Sequence, residues 1–198
     1  MEKMKIAIMG DAQDQEVINY ALFLTEKGHD VRLYSARKPL NSNVISKSLL
    51  FKKISTVSYP LTYLTFVFTS WHILRNKPDL IHAINLSDYG VLGSLYARLT
   101  GIKPIILTSK GQDIMHDAKT QKGWAIKHMM PLGSLFLSEN ELAAQEMIKT
   151  GAPVSKIRVI DSKNEEQLNE LEKLLLEMTA TKRCLREAKA EINTQQPQ

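Results

Sequence analysis

The residues that could do chemistry in this sequence lie where apolar runs end. Asp113 lies in the loop Lys110-Gly111-Gln112-Asp113, directly after one such run. A carboxylate at that place could take the proton of a substrate hydroxyl as a general base, provided that it lies within hydrogen-bond reach. The alternative, which the sequence slightly favours, is that Asp113 is the N-cap of a helix that begins at Ile114.

Two further candidates follow other apolar runs. His82 lies in the run Leu80 to Ile84, and histidine can move protons near neutral pH, although a strand histidine more often satisfies a core hydrogen bond. Gly10-Asp11 precedes a helical stretch, whose free N–H groups could hold an anion or phosphate. A tight turn with an N-cap explains Gly10-Asp11 equally well, because the Asp11 carboxylate would itself repel an anion.

These loops require strands and helices that alternate along the chain. Short apolar runs are typical of parallel strands that are buried on both faces. They predict strands at 5–10, 29–35, 54–58, 80–84, 103–109, 135–137 and 156–160. Apolar residues at helical spacing between the strands predict helices that pack back on them. We therefore expect an α/β fold, a Rossmann-like parallel sheet with helices on both faces and ligand-facing loops at the carboxyl ends of the strands.

The C-terminal part of the chain differs in composition. Ser138 and Glu141 fit a capping box, which predicts a last domain helix over residues 139–149. From Asp161 the chain becomes a charged helix with an apolar stripe, whose members are Leu168, Leu171, Leu175, Met178, Leu185 and Ile192. We expect an α/β domain over residues 1–160, a C-terminal helix over 161–192 and a disordered polar tail over 193–198.

A basic and apolar segment lies before the central strand. Residues 36–53 contain five Lys or Arg side chains and predict an irregular loop, whereas residues 54–74 contain no Asp, Glu, Lys or Arg. That length approaches the roughly 20 residues of a membrane span, but Pro60 and seven Ser or Thr residues argue against crossing. We expect a helix over 61–74, buried in the core or partly on an anionic membrane surface next to Lys47, Lys52 and Lys53.

Composition excludes several classes of function. The net charge of +5 is modest, and without alternating basic and aromatic residues it predicts no nucleic-acid binding. There is no GxGxxG or Walker loop and no metal-ligand spacing among the five histidines and the one cysteine, so no cofactor and no metal are expected. A single cysteine cannot form an internal disulfide, and the N-terminus runs straight into a strand without a signal peptide. A cytoplasmic location is therefore expected.

Seven segments, in order and spacing, resemble the N-terminal domain of the family-4 glycosyltransferases, which have the GT-B fold. Each segment alone is weak, but together they cover residues 5–160. They are KIAIMGDA (5–12), KGHDVRLYS (27–35), KPDLIHA (77–83), YGVLGSLYARLTG (89–101), TSKGQDI (108–114), LSENELAAQEMIKTGAP (137–153) and KIRVI (156–160).

The resemblance implies which residues belong to an acceptor site. In that family the N-terminal domain binds the acceptor and a second domain binds the nucleotide sugar. Five positions match the family's cleft, with Asp113 and His82 as catalytic candidates and the others as acceptor-binding candidates: Gly10, Asp11, His82, Gly111 and Asp113. This chain departs from the family where relatives carry a histidine and arginines at 16–19, and where Ile84 replaces a second histidine.

The resemblance also leaves three functions open. After residue 160 the family continues into its donor domain, whereas this sequence continues into the charged helix. The chain could be one half of a two-chain glycosyltransferase, as in the enzyme that adds the second N-acetylglucosamine in the dolichol pathway. It could instead be a non-catalytic scaffold, or a remnant without activity. The expected partners are a donor-domain chain or a second copy that pairs through the C-terminal helix, and the expected acceptor is lipid-linked or an envelope glycan.

Overall fold

A computed structural model describes residues 3–39, 50–53, 61–117, 119–120, 122–161 and 164–194. Within these ranges the chain forms one parallel sheet of seven strands in the order β3-β2-β1-β4-β5-β6-β7. The strands are β1 (Lys5–Met9), β2 (Asp30–Ser35), β3 (Leu50–Lys53), β4 (Leu80–Ile84), β5 (Ile105–Ser109), β6 (Leu135–Ser138) and β7 (Ile157–Val159). Every pairing between neighbours is parallel.

Six α-helices in the described ranges cover both faces of the sheet, which confirms the predicted Rossmann-like α/β class. They are α1 (Gln15–Glu26), α2 (Leu61–Asn76), α3 (Val91–Thr100), α4 (Lys122–Met129), α5 (Glu141–Thr150) and α6 (Glu165–Thr194). One apolar core contains buried residues of α1 and α6. The other contains buried residues of α2, α3, α4 and α5.

The central strand shows why the sheet is buried on both faces. All five residues of β4 are buried, and successive side chains of a strand point to opposite faces. Ile81 and Ala83 belong to the core under α2–α5, whereas Leu80 and Ile84 belong to the core under α1 and α6. The continuous apolar run that predicted this strand therefore follows from its position in the middle of the sheet.

Two local predictions were wrong. Residues 50–53, which were expected to be irregular, form β3 at the edge of the sheet. An edge strand tolerates lysines such as Lys52 and Lys53. Because these lysines interrupt the apolar run, the sequence did not predict the strand. The strand predicted over 54–58, like Lys47, lies outside the described residues. The N-cap of α5 is Asn140, whose side chain accepts from the Ala143 N–H at 2.8 Å, and not Ser138.

The long C-terminal helix packs on the sheet. Leu171 and Leu175 of α6 are buried in the core that α1 also covers. The buried Glu172 carboxylate accepts a hydrogen bond from His29 Nε2 at 3.1 Å, because His29 Nδ1 already accepts from the Met4 N–H. The structure thus shows part of the leucine stripe packed within the chain. Pairing with a second copy and the domain boundary at residue 160 stay predictions. Asn193, the first residue of the predicted tail, still belongs to α6.

The order of the strands defines where a ligand would bind. The chain winds outward from β1 in one direction through β2 and β3, and in the other through β4 to β7. In open α/β sheets, ligands bind in the crevice outside the carboxyl ends of the strands at such a reversal. Here the reversal lies between β1 and β4, so the loops that begin at Gly10 and Asn85 flank the crevice.

Candidate functional site

The loop after β1 is a tight turn whose polar groups are used internally. The Gly10 N–H donates to the Tyr34 carbonyl at 3.1 Å, and a Cβ on Gly10 would lie 2.9 Å from Val17 of α1. A larger residue would therefore push α1 away from the sheet. Asp11 accepts from the Gln13 N–H at 3.0 Å and pairs with Arg37 at 3.2 Å. An acceptor-binding role for Gly10 and Asp11 stays a prediction.

Asp113 joins the loops that follow β4 and β5. Its carboxylate is buried and accepts three hydrogen bonds: from the Leu86 N–H, from Ser109 Oγ at 2.7 Å and from the Ile114 N–H at 2.9 Å. Gly111 has a φ of +83°, in the left-handed region that favours glycine. These contacts give Asp113 a structural task, and its role as a general base stays a prediction.

His82 lies on the face of the sheet that α1 covers. Its ring is 2% exposed and stacks edge-on against Tyr20. Nδ1 lies 3.0 Å from the Tyr20 hydroxyl, and Nε2 lies 2.7 Å from Thr108 Oγ1. Burial lowers the pKa of His82 to about 3, so the ring is neutral at physiological pH. In the neutral ring one nitrogen donates and the other accepts, and the hydroxyls of Tyr20 and Thr108 can take the complementary roles in either tautomer.

A cavity of about 50 Å³ opens beside His82 towards the carboxyl ends of β4, β5 and β6. Its inner wall is formed by Tyr20, His82 and Thr108, and α6 contributes Leu168 and Leu171. Three charged residues, Glu16, Lys110 and Glu139, also line it. The structure thus combines an apolar wall with a charged group at one edge of the sheet.

Lys110 is the cation of this group. Its ammonium contacts Asp14 and lies 2.8 Å from Glu16 Oε2. Partial burial opposes the charge, but the hydrogen bonds to the two carboxylates outweigh it and raise the pKa of Lys110. Lys110 therefore stays charged, and it ties the loop after β5 to the first turn of α1.

Glu139 directly follows β6 and differs from the neighbouring carboxylates. Partial burial raises the pKa of Glu139; Lys110 acts in the opposite direction, and the charges of Glu16, Asp113 and Asp14 add to the rise. No described residue donates a hydrogen bond to its carboxylate, whereas Asp14 and Glu16 are both bound to Lys110. The Glu139 carboxylate can therefore still accept hydrogen bonds at the cavity.

The structure brings together only part of the predicted site. His82 faces the core under α1 and α6, whereas Asp113 bonds to Leu86 and Ile114 in the other core. The two catalytic candidates therefore share no hydrogen-bond partner among the described residues: His82 bonds to Tyr20 and Thr108, and Asp113 bonds within its own loops. Sequence reasoning missed Lys110, although it directly follows the strand predicted over 103–109 and that position was the available signal. It placed Glu139 at the start of a helix and gave it no role at the site.

The comparisons with known proteins identify the family and the fold of the chain. The chain belongs to the glycosyl transferase 4-like family, whose profile matches residues 5–145. No curated protein matches the chain. Among solved structures it is similar to HepE from Anabaena in complex with UDP-glucose, with a TM-score of 0.61, 14% identity and coverage of 79% of this chain and 43% of that one.

Two other neighbours show how widely the fold is used. The lipopolysaccharide outer core galactosyltransferase WaaB matches with a TM-score of 0.55 at 14% identity, over 79% of this chain and 45% of WaaB. UDP-N-acetylglucosamine 2-epimerase from Rickettsia bellii matches with a TM-score of 0.58 at 15% identity, over 87% of this chain and 49% of the epimerase. The chain spans less than half the length of these structures, and at such identities the likeness shows the fold alone.

Proposed function

We propose that this chain supplies the acceptor half of a sugar-transfer site and works with a nucleotide-sugar-binding domain on a partner chain. The observation that carries the proposal is the match of residues 5–145 to the glycosyl transferase 4-like family, together with a cavity at the carboxyl edge of the sheet. The coverage of 43–49% of the neighbours is compatible with one of two domains.

The charges at the carboxyl edge support binding of the acceptor by this chain and of the nucleotide sugar by the partner. Asp14 and Glu16 contact Lys110 there, and Glu139 lines the same cavity. Like charges repel, so this edge disfavours the diphosphate of a nucleotide sugar and suits an uncharged acceptor. The diphosphate would then be held by the partner, whose backbone amides and cations would face this edge across the cleft.

An exposed apolar face on α2 supports a lipid-linked acceptor. Phe68 is 65% exposed and Trp71 57% exposed, and Leu74 lies beside them. Arg75 lies over the Trp71 ring, 5.3 Å from its centroid. Aromatic residues next to cations are typical of helices that lie on an anionic membrane surface. In the part of the chain that the structure describes, none of the helices combines the length and apolarity of a membrane span.

Purification of a tagged full chain from its native cells tests the proposal. We expect a second chain that binds UDP- or GDP-sugars to co-purify in a fixed ratio. A variant with both Leu171 and Leu175 changed to Asp, which should unseat α6, serves as a control for non-specific association with a misfolded chain. Recovery of the folded chain without any nucleotide-sugar-binding partner would favour the scaffold or remnant hypotheses instead.

A further inference from the structure

A groove of about 530 Å³ lies between α6 and the amino ends of β5 and β6. Met178 and Leu185 of α6 line one wall, and the residues that precede the two strands, Lys103-Pro104 and Ser134, line the other. Because all strands are parallel, the groove lies at the opposite edge of the sheet from the cavity beside His82. Its volume is within the range of about 300–1,000 Å³ that is typical of small-molecule sites.

The groove has an apolar surface that the fold leaves partly open. Leu185 belongs to the leucine stripe of α6, but its side chain is 58% exposed. Met178, seven residues earlier on the same helix, is half-buried and packs against the core under α1 and α6. Pro104 contributes a further apolar side chain from the opposite wall. An alkyl chain in the groove would therefore cover Leu185 and gain the free energy of apolar burial.

The polar groups at the groove favour an anionic ligand. Lys103 and Lys182 line it, and no Asp or Glu is among the described residues that do. Lys182 Nζ donates to the Asp79 carbonyl at 2.7 Å, whereas the exposed Lys103 ammonium forms no hydrogen bond or ion pair with a described residue. The two hydroxyls at the groove, Ser134 and Thr181, are already bonded to backbone atoms. The groove thus complements a ligand with a negative charge next to an apolar part.

We propose that this groove binds a single-chain anionic amphiphile, whose carboxylate or phosphate head contacts Lys103 and whose alkyl tail lies along Met178 and Leu185. The proposal is independent of the sugar-transfer role, because the groove lies away from the carboxyl edge of the sheet. A protein partner fits less well, since a stable interface uses roughly 20–30 residues a side, whereas seven described residues line the groove. A bound amphiphile bridges α6 and the sheet, and a ligand that binds only the folded chain stabilises it.

NMR of the full chain with ¹³C-labelled methionine methyl groups tests the proposal, because Met178 reports from the groove itself. The probes are octanoate, octyl phosphate and the uncharged octanamide, each below the concentration at which it forms micelles. Octanoate or octyl phosphate should shift the Met178 methyl signal saturably and raise the melting temperature. Octanamide should bind about five-fold more weakly, because it lacks the charge that pairs with a lysine. The methyl signal of Met115, which is exposed in the loop after β5, should not move.

Two variants with matched controls identify the residues that bind the probe. Leu185→Asp places a negative charge on the groove wall and should abolish the Met178 shift. Leu142→Asp should leave the shift unchanged, because Leu142 is similarly exposed, at 63%, but lies on α5 and does not line the groove. Lys103→Gln should weaken binding about five-fold, whereas Lys127→Gln, at an exposed lysine of α4, should not. Urea unfolding of each variant verifies that it is folded.

Several results would overturn the inference. Neither anionic probe shifting the Met178 signal would remove the site, and equal binding of octanamide would show that the lysines select no charge. Folded Leu185→Asp that binds octanoate as the parent does would place the probe elsewhere. If no single-chain probe binds but Leu185→Asp loses flotation with phosphatidylglycerol vesicles, the groove contacts a membrane surface and not a single amphiphile.

Discussion

Because α6 packs on the sheet, truncating the side chain of Leu175 should lower the free energy of unfolding substantially. Leu175 is 0% exposed and lies in the core with Leu171 and residues of α1. Leu175→Ala removes buried methyl groups and leaves a cavity, and such changes cost about 2–5 kcal/mol in the free energy of unfolding. A value of about 3 kcal/mol is expected here, since the neighbouring elements are a packed sheet that relaxes little. Urea unfolding at constant pH measures it.

A matched control and a stronger variant make this test decisive. Leu185 lies on the same helix but is 58% exposed, so Leu185→Ala should change stability by less than about 0.5 kcal/mol. Changing Leu171 and Leu175 together to Asp places two charges in an apolar seam and should unseat the helix. If Leu175→Ala unfolds at the same urea concentration as the parent, α6 is a free appendage and the packing described here is wrong. A double variant that melts unchanged but dissociates a dimer would instead show that the stripe pairs with a second copy.

Three further predictions concern pH, the donor and the membrane. Burial lowers the pKa of His82 to about 3, whereas an unfolded histidine titrates near about 6.5, so the unfolded chain binds the extra proton as the pH falls. The free energy of unfolding should therefore drop by about 2 kcal/mol between pH 7 and pH 5 through this group. Urea titrations at several pH values should show a smaller pH dependence for His82→Gln than for the parent. The same pH dependence in both would contradict the neutral buried ring. The isolated chain should show no saturable binding of UDP- or GDP-sugars by calorimetry, because its carboxyl edge carries Asp14 and Glu16; micromolar binding would contradict this. If α2 lies on anionic membranes, the chain should float with phosphatidylglycerol vesicles at low salt and be released as salt screens the charges. Replacing Phe68 and Trp71 by Ser should abolish flotation. A parent chain that does not float at low salt would contradict a membrane-surface role of α2.

The fold could be predicted from the sequence because its signals are local. A run such as Leu80 to Ile84 identifies a strand buried on both faces, and glycines such as Gly10 and Gly28 mark where strands and helices end. The edge strand β3 was not predicted, because Lys52 and Lys53 interrupt its apolar run and because it is defined by its pairing with β2. Local patterns report apolar runs, and an edge strand need not have one.

The candidate site was predicted less completely, because it depends on contacts between distant segments. The sequence identifies His82 and Asp113 as chemically capable, but it does not show that the two side chains bond to different partners. The hydrogen bonds of Asp113 to Leu86 and Ser109 likewise join loops that only the folded topology brings together. Side-chain availability, and not residue type, distinguishes Glu139 from the other carboxylates, and it can be read only from the structure.

A transfer assay on the natively purified complex tests the central claim most directly. The tagged chain with its co-purified partner is incubated with radiolabelled nucleotide sugars and a membrane extract from the same cells, and label in the organic phase and in envelope glycan is counted. We expect the complex to transfer label and the chain stripped of its partner not to transfer it. Equal transfer by the purified chain alone, or a complex that binds no nucleotide sugar, would contradict the assignment of this chain as the acceptor half of a glycosyltransferase.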